Sequence, residues 1–450
     1  MRNPAAHAAL KRFCQDALAH MREAVPKDGQ PAVYWRWVYR FSDTGRTGAQ
    51  EETVDWPQVV REYLGDPNSI PSWSAALAEF QADPKLSGSH LTVEQPPLTI
   101  KGFPVRLVSQ QESLAFDSQV FDALYQETED YFYQDAVTYR YLAPLRRFSM
   151  QAEEIPLDRS LSIVRVPDAW RQEMLDATEG APQVAAELHE AASRAYGLVL
   201  YLDLQKEQGQ ELPRRMQGQQ EDAIKHVRNE FRLVCSALRL FKAGAVGYEQ
   251  IVPRPTSWVP WSSFAVHRGG PASSIGETYA LTHQEADQFL GFWSCYCRSI
   301  ATAQKHVALA ISRFATGYAR ASPGERLIDF MVAFEALLLE SEPALSYKLA
   351  MRVAALLGQN PHDRETLYHE LLAAYKERNH IVHGTGPPHP TVEVGNKEPK
   401  EKVKLEDFNG RVEGHLRAAI KAVMQPTAKQ NKQDMIRDLD LQIARGMTSP

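Results

Sequence analysis

Between Ile300 and Gly384 apolar residues recur every three or four positions, and helix start and stop signals cut that recurrence into lengths. Ile300, Ala303, Val307, Ile311, Phe314 and Tyr318 share one face. Ser322-Pro323-Gly324-Glu325 then supplies an N-cap, a proline at the first helical position and a glutamate at the capping-box position. The helix that follows runs to about Glu340, with Leu327, Ile328, Met331, Phe334 and Leu338 on one side. Leu345 to Leu357 reads as a further helix ending at Gly358, and Asp363 to His383 as another, closed by Gly384. Residues 385–404, rich in proline and charge, predict an exposed loop, and 405–423 a fifth helix. Residues 434–445 predict a detached helix in a polar tail. A chain patterned this way has little freedom: its last third is helical, with each apolar stripe buried against a neighbour.

The chain before that region is mixed. Val33 to Phe41 alternates, with Trp37, Tyr39 and Phe41 on one face and Arg40 on the other, which predicts a strand. Polar 42–52 reads as a loop, 57–82 as helix, 83–102 as irregular, and 103–109 and 160–166 as strands. Helices are expected over 5–24, 168–178, 182–208 and 219–242, with strands and turns from Gly244 to about 283. Tyr125, Tyr131, Tyr133, Tyr139 and Tyr141 lie near Arg140, Arg146 and Arg147, a composition that can stack bases; an amphipathic helix burying its tyrosines fits better. A chain of 450 residues exceeds what one core supports. The expected fold is mainly α with a mixed α+β N-terminal region. The expected division is an α+β domain over 1–167, a helical and β regulatory or sensor region over 168–297, a helical domain over 298–424, and a tail over 425–450.

Fifty Lys and Arg against 56 Asp and Glu give a net charge of −6, which excludes a chain that coats nucleic acid through bulk charge. A locally positive site remains open. The longest apolar-rich stretch, Leu327 to Leu339, is too short to span a bilayer and carries Asp329 and Glu335, so no membrane partner is expected. The N-terminus has no apolar leader, and Cys14, Cys235, Cys295 and Cys297 do not form a disulfide framework; a reducing, cytoplasmic compartment fits. There is no phosphate-binding loop of the Gly-x4-Gly-Lys-Ser/Thr type and no Gly-x-Ser-x-Gly nucleophile turn. His380, His383 and His389 join no cysteine or HExxH pattern, so neither a metal nor another cofactor is expected.

The chemistry concentrates at the end of the helix over 363–383. At about 100° per residue, Arg378 falls at the centre of the stripe made by Leu367, Leu371, Tyr375 and Val382. A guanidinium that cannot lose its proton needs an anion there, either a carboxylate or a phosphate. Glu335 repeats the anomaly on the face of Ile328, Met331 and Leu338, and is a countercharge for Arg378 or for Arg352. Asn379 and His383 flank the stripe, and His380 faces solvent. A helix C-terminus favours an imidazolium, which suits His383 to acid–base work. The same features also describe a packing ion pair and a histidine that caps carbonyls.

Glu325 to Leu339, Tyr347 to Ala354 and the stretch Arg378-Asn-His-Ile-Val-His-Gly384 together resemble the Apea-like branch of the HEPN superfamily. Its signature is an Arg followed by a polar residue, with a His four to six positions beyond; here these are Arg378, Asn379 and His383. The resemblance covers about residues 298 to 423. It implies an antiparallel helical bundle of HEPN type that acts as a metal-independent endoribonuclease in toxin or antiphage, abortive-infection systems. It implies a homodimer or higher oligomer in which two helix ends share one cleft. Arg378 and His383 are then catalytic, with Asn379 and Glu335 supporting. The substrate is single-stranded or loop RNA, tRNA among the candidates, cut to a 2′,3′-cyclic phosphate and a 5′-hydroxyl. The resemblance carries no function to the residues upstream; a sensor or regulator there, answering a phage trigger or a regulatory partner, is the accompanying expectation. The alternative is a non-catalytic HEPN module that binds nucleic acid, nucleotide or a partner.

Overall fold

A computed structural model describes residues 1–25, 33–41, 46–87, 95–180, 185–206, 212–259, 266–270, 277–301, 305–340, 343–384, 387–395, 399–424 and 431–446. In chain order the elements are α1 (Pro4–Ala24), β1 (Val33–Phe41), β2 (Arg46–Val54), α2 (Trp56–Tyr63), α3 (Trp73–Ala82), α4 (Pro84–Ser87), α5 (Gln95–Gln111) and α6 (Ser118–Tyr133). There follow β3 (Ala136–Arg146), β4 (Phe148–Met150), β5 (Glu154–Pro156), β6 (Leu161–Arg165), α7 (Asp168–Gly180), α8 (Ala185–Ala192), β7 (Tyr196–Gln205) and α9 (Leu212–Phe241). Next come β8 (Gly247–Tyr248), β9 (Gln250–Pro255), β10 (His267–Arg268), β11 (Tyr279–Leu281), α10 (His283–Ala301), α11 (Lys305–Ala319) and α12 (Pro323–Leu338). The chain ends with α13 (Leu345–Leu357), α14 (Pro361–Val382), β12 (Thr391–Val394), β13 (Glu401–Lys404), α15 (Leu405–Val423) and α16 (Lys432–Ala444). The described residues are thus mostly helical, with antiparallel sheet concentrated before residue 270.

Two compact units emerge, each drawn from several stretches of chain. One combines Met1–Pro144, Asp158–Arg228 and Gln250–Arg268; the other combines Leu145–Leu157, Asn229–Glu249 and Gly269–Pro450. The borders expected at 167/168 and 297/298 match neither. The reason lies in strand pairing: β7 pairs antiparallel with both β3 and β6, with Tyr141 opposite Leu200 and Ile163 opposite Leu198. Residues 196–205 therefore complete a sheet begun before residue 167. Beside this sheet, α1, α3, α5 and α6 share a core of Leu10, Phe13, Phe80, Phe103, Phe121 and Phe132.

Several sequence expectations need correcting here. The loop expected over 42–52 contains β2, hairpin partner of β1; its residues are largely exposed, so no apolar period marks it. The strand expected over 103–109 is part of α5, because a short apolar run fits both periods and Pro104 is tolerated inside the helix. The helix over 182–208 is instead α8 and then β7, whose first half is buried throughout and so shows no alternation. The helix over 57–82 breaks after Tyr63, where Gly65 adopts φ 64° and a 3-10 turn spans Pro67–Ser69. The tyrosine-rich segment divides between α6 and β3, and Tyr125, Tyr131 and Tyr141 are buried in packing.

In the second unit α11 lies against α12, α13 against α14, and α15 against α12 and α13. α12 also contacts α13 and α14, and the buried apolar side chains of these helices include Leu327, Phe330, Met331 and Phe334 of α12, Leu349 and Val353 of α13, Leu371 of α14, and Phe408, Val412 and Leu416 of α15. Gly317 lets α11 approach α12, since a Cβ there would collide with the Phe330 ring. The exposed loop expected over 385–404 instead contains the β12–β13 hairpin, with Val392, Val394 and Val403 buried. The helix expected to be detached at 434–445 is α16, which packs on α13 and buries Ile436 and Leu439. No described helix is long and apolar enough to cross a membrane.

Buried charge is matched inside this unit. Asp329 accepts from Arg313 at 3.0 Å and from Arg320 at 2.7 Å. Glu370 of α14 meets His415 at 2.5 Å and Arg411 at 3.1 Å, both on α15. Burial raises the Glu370 carboxyl, but the bonds and charges of His415 and Arg411 outweigh it and hold the group below its ordinary 4.5. A carboxyl so depressed stabilises the fold fully above its ordinary value, and that contribution is lost as pH falls through the folded value. Glu370→Gln is therefore expected to flatten the loss of urea stability between about pH 6 and about pH 3, while lowering stability at neutrality. Parallel acid slopes in the two proteins would refute the assignment.

Candidate active site

Local sequence explains where α14 starts and stops. The Asn360 side chain accepts from the Asp363 N–H at 2.9 Å, and Pro361 takes the first helical position, where no N–H is needed. At the other end the His383 N–H donates to the Asn379 carbonyl at 3.0 Å. Gly384 follows at φ 66°, a left-handed turn that ends the helix cheaply only without a Cβ. His383 is thus the capping residue, and its side chain is exposed.

Arg378 lies on the preceding turn. Leu367, Leu371, Ala374 and Tyr375 of its stripe are buried, whereas Val382 is 47% exposed, so the apolar face fades just where Arg378 sits. Its guanidinium is 20% exposed, with Nη2 3.5 Å from Glu335 Oε1 on α12 and Nη1 donating to Asn379 Oδ1 at 3.0 Å. Nε is buried and makes no hydrogen bond. Burial first, and then the neighbouring Glu335 carboxylate, raises the Tyr375 hydroxyl, which stays protonated and bonds to Glu335. Glu335 is therefore shared between a phenol and a guanidinium, and its hold on Arg378 is loose. An anion of better geometry, such as a phosphate, can compete for that guanidinium.

Of the residues singled out from sequence, Arg378 touches both Asn379 and Glu335. His383 does not join them: among the described residues no bond or ring contact links it to Arg378. The two alternatives for Glu335 resolve in favour of Arg378, because Arg352 turns to Asp440 of α16. His380, expected to face solvent, is half-buried, stacks on His389 and donates to the Pro387 carbonyl at 3.1 Å. No three His, Cys, Asp or Glu side chains converge as a metal ligand set among the described residues. None of the four cysteines is in a disulfide.

Sequence reasoning missed Glu377. It is buried on α14 and engages His389 through both carboxylate oxygens. The Pro387-Pro388-His389-Pro390 run fixes three φ angles where the chain leaves the helix end, but nothing in it points to Glu377. No protein-family model, curated protein or solved structure matches this chain.

Proposed function

We propose that this protein is a HEPN-type endoribonuclease that cuts RNA without a metal. The observation that carries the reading is the end of α14, where a loosely held, part-buried guanidinium precedes an exposed histidine by five positions. Arg378 binds the non-bridging oxygens of the scissile phosphate in exchange for Glu335 and offsets charge in the transition state. His383 takes the proton of the adjacent ribose 2′-hydroxyl, whose oxygen forms a bond to phosphorus as the bond to the 5′-oxygen breaks. That departing oxygen is protonated by His383 of a second copy or by water. The products are a 2′,3′-cyclic phosphate and a 5′-hydroxyl. Arg378 and His383 lie about 140° apart on one helix, so convergence on one phosphate comes from pairing two helix ends across a two-fold axis. Asn379, already bonded to Arg378, steadies the guanidinium.

On this reading the substrate is single-stranded or loop RNA, since in-line attack needs a flexible backbone. The remainder of the chain acts as sensor or regulator of growth arrest or phage defence. Purified protein is expected to cut structured and unstructured RNAs in excess EDTA, leaving ends that resist 3′-end ligation until the cyclic phosphate is opened and the resulting monophosphate removed. Cleavage abolished by EDTA and restored by a divalent ion would overturn the mechanism. The existing Arg378–Glu335 pair favours one second reading, a non-catalytic module in which Arg378 is an anion ligand and His383 a cap. That reading predicts RNA bound and left intact.

A further inference from the structure

Pro387-Pro388-His389-Pro390 leads from the end of α14 into β12, and His389 lands on the flank of Glu377. One Glu377 oxygen accepts from the His389 backbone N–H at 2.8 Å, the other from the ring Nδ1–H at 2.7 Å. The carboxylate is 7% exposed and the imidazole 54% exposed. A buried carboxylate with both oxygens engaged fixes the ring's tautomer and plane, and leaves Nε2 on the edge facing away from it. His380 stacks on the same ring, with centroids 4.0 Å apart and planes inclined by 24°. The two rings border an open groove of about 400 Å3, with Lys376 of α14 and Thr391, Glu393 and Lys402 of the β12–β13 hairpin around it.

We propose that this groove is a subsite for a nucleotide of the RNA adjoining the one that is cut. The inference rests on the ribonuclease reading of Arg378 and His383. A flat aromatic ring held in one orientation is a platform on which any base can stack, and ordering it beforehand removes an entropic penalty on binding. The groove has the volume of a small-molecule site. Lys376 is exposed at its edge, and Lys402 meets Glu393 only at 3.7 Å in an exposed pair that a phosphate displaces. His380 lies one helical turn, about 5 Å of rise, before His383, which sets the groove a nucleotide's reach from the proposed cleavage point.

Binding is measured by fluorescence anisotropy with a labelled single-stranded RNA of about ten mixed nucleotides. Full-length protein carrying His383→Ala is used so that the probe stays intact. Adding His389→Ala is expected to weaken binding about tenfold, within the range for losing one stacked base. His389→Phe, which keeps a ring, is expected to restore most of that affinity. In protein with His383 intact, His389→Ala raises KM more than it lowers kcat. His389→Ala and His389→Phe both remove the ring bond to one Glu377 oxygen and keep the backbone bond to the other, so both are also measured with Glu377→Gln, and His389→Phe with Glu377→Gln is expected to bind near normally. RNA cut by the parent protein with no change in Kd or KM on His389→Ala overturns the subsite and leaves the cleavage site standing. His389→Phe binding as weakly as His389→Ala overturns the stacking role. RNA neither bound nor cut by the parent protein overturns both.

Discussion

Full-length His383→Ala protein is expected to lose RNA cleavage by about 100- to 10,000-fold, the range for removing a general acid or base. Its fold should survive, because the substituted side chain is exposed and the capping bond at that position runs through the backbone N–H. Arg378→Ala is expected to lose cleavage to a similar degree for a different reason. It removes the phosphate clamp and strands Glu335 beside Tyr375 without its guanidinium. Arg378→Lys separates the two effects. The ammonium still answers Glu335, so stability returns, but it lacks the planar fork that grips two phosphate oxygens, so activity stays low. Glu335→Gln completes the series: it frees Arg378 and is expected to tighten RNA binding while leaving His383 untouched. The readouts are initial cleavage rates on one labelled RNA, oligomeric state by light scattering, and urea midpoints. Cleavage that persists in His383→Ala at parental rates would end the ribonuclease reading of this site.

What could be read from sequence followed from how local each determinant is. α12, α13 and α14 announced themselves because a proline or a terminal glycine sits within a few residues of the boundaries they set, although the Ser322 side chain makes no capping bond; Ile300, read on the face of α11, lies instead in α10. The Arg378–Glu335 contact was legible as one of two pairings, since each residue interrupts an apolar stripe and an interrupted stripe demands a partner. The Glu377–His389 pair was not legible. It depends on the path of an intervening turn, and neither residue breaks a pattern on its own element. β2 escaped because its stability comes from pairing with β1 rather than from an apolar face. The interleaved units escaped because sheet neighbours such as β3 and β7 lie far apart in sequence, and nothing local records which strands will pair.

Arg352→Ala is expected to have the largest effect on stability, about 2–4 kcal/mol, mostly from the cavity that a large buried side chain leaves and the carbonyl it no longer bonds. Arg352, at 1% exposure, is the largest fully buried side chain among the described residues. Nη1 donates to the Leu338 carbonyl at the C-terminus of α12 at 2.9 Å. Nε and Nη2 donate to the two Asp440 oxygens of α16 at 2.9 and 2.8 Å. Truncation therefore leaves a cavity, an unanswered carbonyl and a docked helix without its ionic anchor. Of α16, only Ile436 and Leu439 are buried, so apolar contact alone holds it weakly. Asp440→Asn should be milder, since Asp440 is 49% exposed and water can take its place around the carboxylate's former site. Urea midpoints measure the global loss, and hydrogen exchange across 432–444 measures release of α16. Unchanged α16 protection in Arg352→Ala would show that the ion pair is not the fastener. Leu338 follows Glu335 by one turn of α12, so loosening that end also loosens the carboxylate that holds Arg378. A change in RNA cleavage in Arg352→Ala that Glu335→Gln reproduces would trace the coupling to that carboxylate, whereas a change it does not reproduce would assign it to α16.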